Sequence, residues 1–211
     1  MFETNPITNL KIEKCFDHYK YNDFGYVWRK IFIVDNFYKN PNEIRDYALS
    51  CDLKTGEEHC GGLIGKRVFE ENQEMVDKLK PIFSELCQNK EWYNLEWDEE
   101  DFNTKWDNQS FMVNVTKDED INGKFTHHKD NEGSKWAALV YLSDGPGGTN
   151  FYQWKEEWPL GDRYDLKQDI VFTSEMKYNR MVMYESRQTH GAILEKGMFT
   201  EYPRLAQVFF M

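Results

Sequence analysis

The sequence predicts an α+β fold with an antiparallel sandwich or barrel, on three observations. Two amphipathic helical stretches come early, at least five short strand-like runs follow, and turn residues separate those runs. The first helix is predicted over about 41–51. Asn40 offers an N-cap, Pro41 suits the first helical position, and Glu43 stands where a capping box places its acid. Ile44, Tyr47 and Ala48 then make an apolar face at i, i+3 and i+4. The second helix is predicted over about 72–88, where Met75, Leu79, Ile82 and Leu86 recur at helical spacing. Pro81 falls inside it and is expected to kink or divide it.

The strand candidates are Lys30–Val34, Ser110–Thr116, Trp136–Leu142, Thr149–Tyr152 and the runs 180–186 and 204–210. Residues 1–30 read as an irregular arm with an edge strand near Tyr26–Trp28, and the Gly-bearing stretch 54–67 reads as a loop. The aromatic-rich segment 89–109 reads as loop or edge strand. The insert 153–179 reads as a lid, a substrate-side wall or an extra hairpin.

At 211 residues the chain suits a single domain spanning 1–211. Lys plus Arg number 26 against 37 Asp plus Glu, a net charge of −11, so neither nucleic acid nor an anionic membrane is expected as the main partner. No apolar run approaches a membrane span, and no basic start leads into an apolar stretch, so a soluble, cytoplasmic protein is expected. Cys15, Cys51, Cys60 and Cys87 lie singly and fit reduced thiols. A zinc site from Cys51, His59 and Cys60 is the weaker reading. The oligomeric state is open.

The chemistry concentrates after residue 125. In Phe125-Thr-His-His-Lys-Asp130 an imidazole and a carboxylate stand two positions apart, at His128 and Asp130, and on an extended backbone both project from one face. His127 points the other way on such a backbone. His190, after the strand-like run 180–186 and before Gly191, is the candidate third ligand where a strand should end. Two imidazoles and one carboxylate on one side of a divalent ion leave coordination sites open, as in the facial triad of non-heme Fe(II) oxygenases. Arg204 opens the last strand, where a guanidinium can grip a carboxylate through two parallel hydrogen bonds. Asp118-Glu-Asp120-Ile-Asn122-Gly123 matches the first half of an EF-hand loop. Its twelfth position is Lys129, where calcium needs a bidentate Glu, so a polar turn is the better account.

The order of HxD, Gly147-Gly-Thr-Asn-Phe-Tyr152, a distal His and a basic residue on the last strand resembles the Fe(II)/2-oxoglutarate-dependent dioxygenases. The likeness points to their prolyl-4-hydroxylase-like branch and to small related proteins of phages and bacteria. It covers roughly the C-terminal hundred residues and extends weakly to Ile33–Phe37. The resemblance implies a double-stranded β-helix (jelly roll) backed by two N-terminal helices. It implies His128, Asp130 and His190 as iron ligands and Arg204 as the partner of the distal carboxylate of 2-oxoglutarate. Tyr141 and Asn114, on strands that should line the barrel, are candidate donors to the co-substrate; Arg180 and Arg187 are candidate contacts for an acidic substrate. The implied activity is hydroxylation, by dioxygen, of an amino-acid side chain, peptidyl or free, or of another small molecule. Asp130 favours hydroxylation, since related halogenases carry a small residue there. The alternatives are a jelly-roll metal-binding protein without turnover and a cupin-like metalloenzyme that does not use 2-oxoglutarate; Arg204 separates the last from the rest.

Overall fold

The computed structural model describes residues 1–17, 27–55, 65–69, 71–88, 108–114, 127–130, 136–154, 168–195, 197–199 and 203–211. Its strands in chain order are β1 (Leu10–Asp17), β2 (Val27–Val34), β3 (Lys54–Thr55), β4 (Lys66–Phe69), β5 (Asn108–Asn114), β6 (Trp136–Tyr141), β7 (Gly148–Trp154), β8 (Gln168–Glu175), β9 (Met181–Glu185), β10 (His190–Ile193) and β11 (Arg204–Phe210). Among the described residues two helices, α1 (Pro41–Ser50) and α2 (Gln73–Gln88), precede β5. Eight strands form one sheet in the order β1-β2-β9-β6-β11-β5-β4-β3, and three form a second in the order β10-β7-β8. Among the described residues every pairing is antiparallel.

Side-chain alternation in the central strands builds three layers. Trp136, Ala138 and Val140 of β6, with Met181 and Met183 of β9 and Phe32 of β2, join Ile44, Ala48, Met75, Leu79 and Phe83 of the helices in one core. The Phe83 ring lies 5.4 Å from that of Phe209 on β11. The intervening residues Ala137, Leu139, Tyr141, Val182, Tyr184 and Ile31 face the other way and pack with Phe151 and Phe172 of the small sheet. Strands buried on both faces read as unbroken apolar runs, which is why β6 is so plain in the sequence. From β6 onward the chain passes to the small sheet for β7 and β8, returns for β9, crosses for β10 and returns for β11. The β9–β10 crossing lies at the Trp136–Glu185 end of the large sheet and the other three at its Tyr141–Met181 end.

Several expectations need correction. Residues 10–17 are not irregular: β1 pairs with β2 along its whole length. An edge strand carries charges on its open side, and Lys11, Glu13 and Lys14 mask the alternation of Leu10 and Ile12. Asn40 stands at the N-cap of α1, but its side chain makes no cap bond; the first turn closes through the Glu43 amide and the Asn40 carbonyl at 3.1 Å. Pro81 does not divide α2. It is exposed, so water can satisfy the Asp77 carbonyl whose helical partner it removes. The stretch 54–67 contributes β3 and the start of β4. Of the readings of the insert 153–179, the extra hairpin holds, since β8 pairs antiparallel with β7. His190 begins a strand rather than ending one. The EF-hand-like residues 118–126, His59, Cys60 and the aromatic segment 89–107 lie outside the described residues. Among the described residues no helix is long and apolar enough to cross a membrane.

Gly148 shows why the turn before β7 needs its glycines. Its φ is +147°, and a Cβ there would stand 2.1 Å from the Ser174 carbonyl oxygen across the β7–β8 ladder.

Candidate metal centre

His128 and Asp130 sit on an extended segment that lies along the free edge of β10. The His128 and His190 amides each donate to the other's carbonyl, at 2.8 and 2.9 Å, and the Asp130 amide donates to the Ser186 carbonyl at 2.9 Å. The approach is close because residue 191 is glycine: a Cβ at Gly191 would come within 3.3 Å of the His127 Cα. Two residues a long way apart in sequence are thereby locked in register.

The side chains converge. The ligand atoms of His128, Asp130 and His190 all lie within 4.8 Å of one another. Nε2 of His128 is 3.6 Å from one Asp130 oxygen, and Nε2 of His190 is 3.5 Å from the other. Both distances exceed a hydrogen bond. The His190 ring is buried, the Asp130 carboxylate nearly so, and the His128 side chain is 45% exposed, so the cluster opens to solvent on the His128 side.

The tautomer of His190 follows from its neighbours. A carbonyl can only accept, so the 2.8 Å contact between Nδ1 and the Gln188 carbonyl requires the proton on Nδ1. Gln188 is itself fixed, its side-chain amide donating to the Tyr152 and Thr189 carbonyls. Burial lowers the proton affinity of His190, with Asp130 acting in the opposite direction, so the ring is neutral and Nε2 carries a lone pair. That lone pair faces the carboxylate and the Tyr184 hydroxyl, 2.9 Å away.

Asp130 Oδ2 is sealed from solvent and accepts no hydrogen bond of standard geometry among the described residues. A carboxylate oxygen buried beside a nitrogen lone pair is costly unless a cation joins them. Two imidazoles and a carboxylate so placed fit a divalent ion that accepts mixed nitrogen and oxygen donors and keeps open positions.

Deeper between the sheets lies a second polar group. Arg204 opens β11 and is buried, its guanidinium carbon 5.6 Å from the Tyr141 ring centre. The Tyr141 and Thr149 hydroxyls are 2.8 Å apart, and Ser174, also buried, faces Thr149 in the β7–β8 register. Burial raises the Tyr141 pKa, and the Arg204 charge opposes that rise. Three hydroxyls and a guanidinium in an apolar layer suit one end of a carboxylate-bearing ligand.

The remaining candidates fall elsewhere. Asn114 ends β5 opposite Arg204. His127 is exposed, its ring 4.8 Å from that of Tyr152. Arg180 is paired with Asp35, with Nε–Oδ1 at 2.6 Å and a second contact at 3.2 Å. Arg187 is exposed. Sequence reasoning missed Tyr184, Thr149, Ser174 and Gln188. Alternation from Val182 could have placed Tyr184 on the inner face, and Thr149 lies within the Gly-Gly-Thr motif.

Neither the protein-family models nor the curated proteins include a match to this sequence. Among solved structures, the chain is similar to an oxidoreductase of the 2OG-Fe(II) oxygenase family from Burkholderia pseudomallei, with a TM-score of 0.50 and 10% identity over 92% of this chain and 93% of that one. Another match is the non-heme alpha ketoglutarate dependent epimerase SnoN from nogalamycin biosynthesis, with a TM-score of 0.49 and 16% identity over 80% of this chain and 71% of that one. The chain therefore has the fold of the 2OG-Fe(II) oxygenases.

Proposed function

We propose that this protein is an Fe(II)- and 2-oxoglutarate-dependent dioxygenase, a single jelly-roll domain that hydroxylates an amino-acid side chain, peptidyl or free, or another small molecule. The observation that carries the reading is the sealed Asp130 oxygen held 3.5 Å from the lone pair of His190, with His128 completing the set at the solvent-facing side. The chain's passage back and forth between two antiparallel sheets supports the double-stranded β-helix.

In this reading His128, Asp130 and His190 hold the iron. Arg204 takes the distal carboxylate of 2-oxoglutarate, with Tyr141 and Thr149 as hydrogen-bonding partners and Asn114 close by on β5. Iron and co-substrate supply oxidation by dioxygen, in which the keto acid becomes succinate and carbon dioxide and one oxygen atom enters a substrate C–H bond. The protein fixes the ligands and excludes stray water. His190 is oriented by the Gln188 carbonyl, and the inner wall of Phe151, Val182 and Tyr184 keeps the far side dry. Asp130 as the third ligand favours hydroxylation over halogenation.

The test is succinate release from 2-oxoglutarate under air with Fe(II), over a panel of free amino acids and peptides. Substrate-dependent succinate supports the reading, and its absence with every ligand-competent preparation would count against turnover.

A further inference from the structure

The ring of Tyr184 is part of the inner wall, but its hydroxyl has no part in the assignments above, and among the described residues it is the polar group nearest the lone pair of His190. It projects from β9 into the layer between the sheets and is buried, with its ring 4.5 Å from the His190 ring and 5.1 Å from that of Phe151. In the neutral ring, with the Nδ1 proton given to the Gln188 carbonyl, the 2.9 Å contact has one sense: the phenol donates and Nε2 accepts. This is the same lone pair that an ion held by the triad would use. The hydrogen bond and the ion are therefore mutually exclusive at Nε2.

A buried phenol that loses its acceptor needs another. The group at hand is Asp130, whose Oδ2 lies 3.5 Å from the same His190 Nε2 and has no bond of standard geometry among the described residues. A carboxylate that ligates an ion through one oxygen leaves the other to accept a hydrogen bond. We propose that Tyr184 is a positioning residue for the metal centre: its hydroxyl caps His190 Nε2 in the metal-free protein and turns to Asp130 Oδ2 when an ion is bound. This rests on the metal-ligand reading of the triad and adds to it a residue that selects between the two states.

The exchange has a sign. A neutral acceptor is given up for a charged one, and charge-assisted hydrogen bonds are about twice as strong. The phenol thus favours the loaded centre, while in the empty centre it spares His190 Nε2 an unpaired lone pair. Partners of ligating carboxylates and imidazoles typically change metal affinity by about 10–100-fold when removed.

The experiment uses the full-length chain and Mn(II), titrated calorimetrically into wild type and Tyr184→Phe. The expected result is an affinity about tenfold or more weaker in the variant, with the melting temperature of the metal-free protein changing by only a few degrees. Protein carrying 3-fluorotyrosine at position 184 alone gives a second readout that does not depend on how the variant folds. Its fluorine resonance should move when diamagnetic Zn(II) is added. Equal or tighter Mn(II) binding by Tyr184→Phe, or an unmoved resonance at saturating Zn(II), overturns the inference and leaves the proposed function standing. Failure of wild type to bind any divalent ion overturns both.

Discussion

His128 and His190 hold each other by their backbones before any ion is considered: each amide donates to the other's carbonyl, at 2.8 and 2.9 Å. The ligand geometry is thus an outcome of strand pairing, and changes that disturb the pairing should disturb binding even when all three ligating side chains remain.

Gly191→Val is the sharpest such change. It places a branched side chain where a Cβ already stands 3.3 Å from the His127 Cα. Overpacking of this kind costs about 1–3 kcal/mol, or roughly 2–4 °C in melting temperature per kcal/mol for a chain of this size. Differential scanning calorimetry should show that fall, and Mn(II) titration should show weaker binding with the triad intact. Wild-type values for both would mean the segment is not held as described.

Arg204 and Thr149 should govern the co-substrate alone. At a ligand concentration about a hundredfold above its Kd, binding adds about 2.7 kcal/mol of stability. Mn(II) and 2-oxoglutarate are each expected to raise the melting temperature of wild type. Arg204→Ala should keep the Mn(II) increment and lose that of 2-oxoglutarate, and Thr149→Val should reduce the latter while costing about 1 kcal/mol for its bond to Tyr141. An Arg204→Ala variant that still responds to 2-oxoglutarate would place the carboxylate elsewhere.

Away from the site, Asp35 should make the fold sensitive to acid. The Arg180 guanidinium beside it, helped by Lys177 and opposed by partial burial, lowers its pKa from 3.8 to about 2. The folded value lies below the unfolded one, so the unfolded chain binds more protons as pH drops. The pair's contribution is complete above about pH 4 and is lost as pH falls towards 2. Asp35 is part-exposed, so screening keeps the effect modest. Urea melts should show Asp35→Asn to be less stable than wild type at about pH 6 and the gap to close by about pH 2; a gap independent of pH would contradict the assignment.

In the core between sheet and helices, Tyr38 donates to Gln207 Oε1 at 2.6 Å, with both residues fully buried. Tyr38→Phe leaves that oxygen without its donor and should cost about 1–3 kcal/mol in a chemical melt. No loss would mean that Gln207 finds another donor.

What could be read from the sequence follows from where the physics is local. Helices α1 and α2 announce themselves by period, and β6, β9 and β11 by apolar runs, because each is decided by burial along a few consecutive residues. His128, Asp130, His190 and Arg204 are visible only in conjunction: HxD before a strong strand, the Gly-Gly-Thr turn after it, a distal His and a strand-opening Arg, in the order the resemblance requires. Tyr184 is hidden for the opposite reason: an aromatic in an apolar strand reads as packing, and only the fold brings its hydroxyl to a ring six residues away. The strand that begins at His190 was missed because its pairing partners are on β7 and at His128, not in its own neighbourhood. The N-cap at Asn40 failed because the backbone there, at φ −122° and ψ 68°, does not turn the side chain onto the first amides.

The central claim is that one ion and one keto acid meet at this cluster. Anaerobic addition of Fe(II) and then 2-oxoglutarate, followed by visible absorption, addresses it most directly. The account predicts a weak charge-transfer band that needs both components and is missing from His190→Ala and Arg204→Ala; a wild-type spectrum that stays blank with iron bound would contradict it.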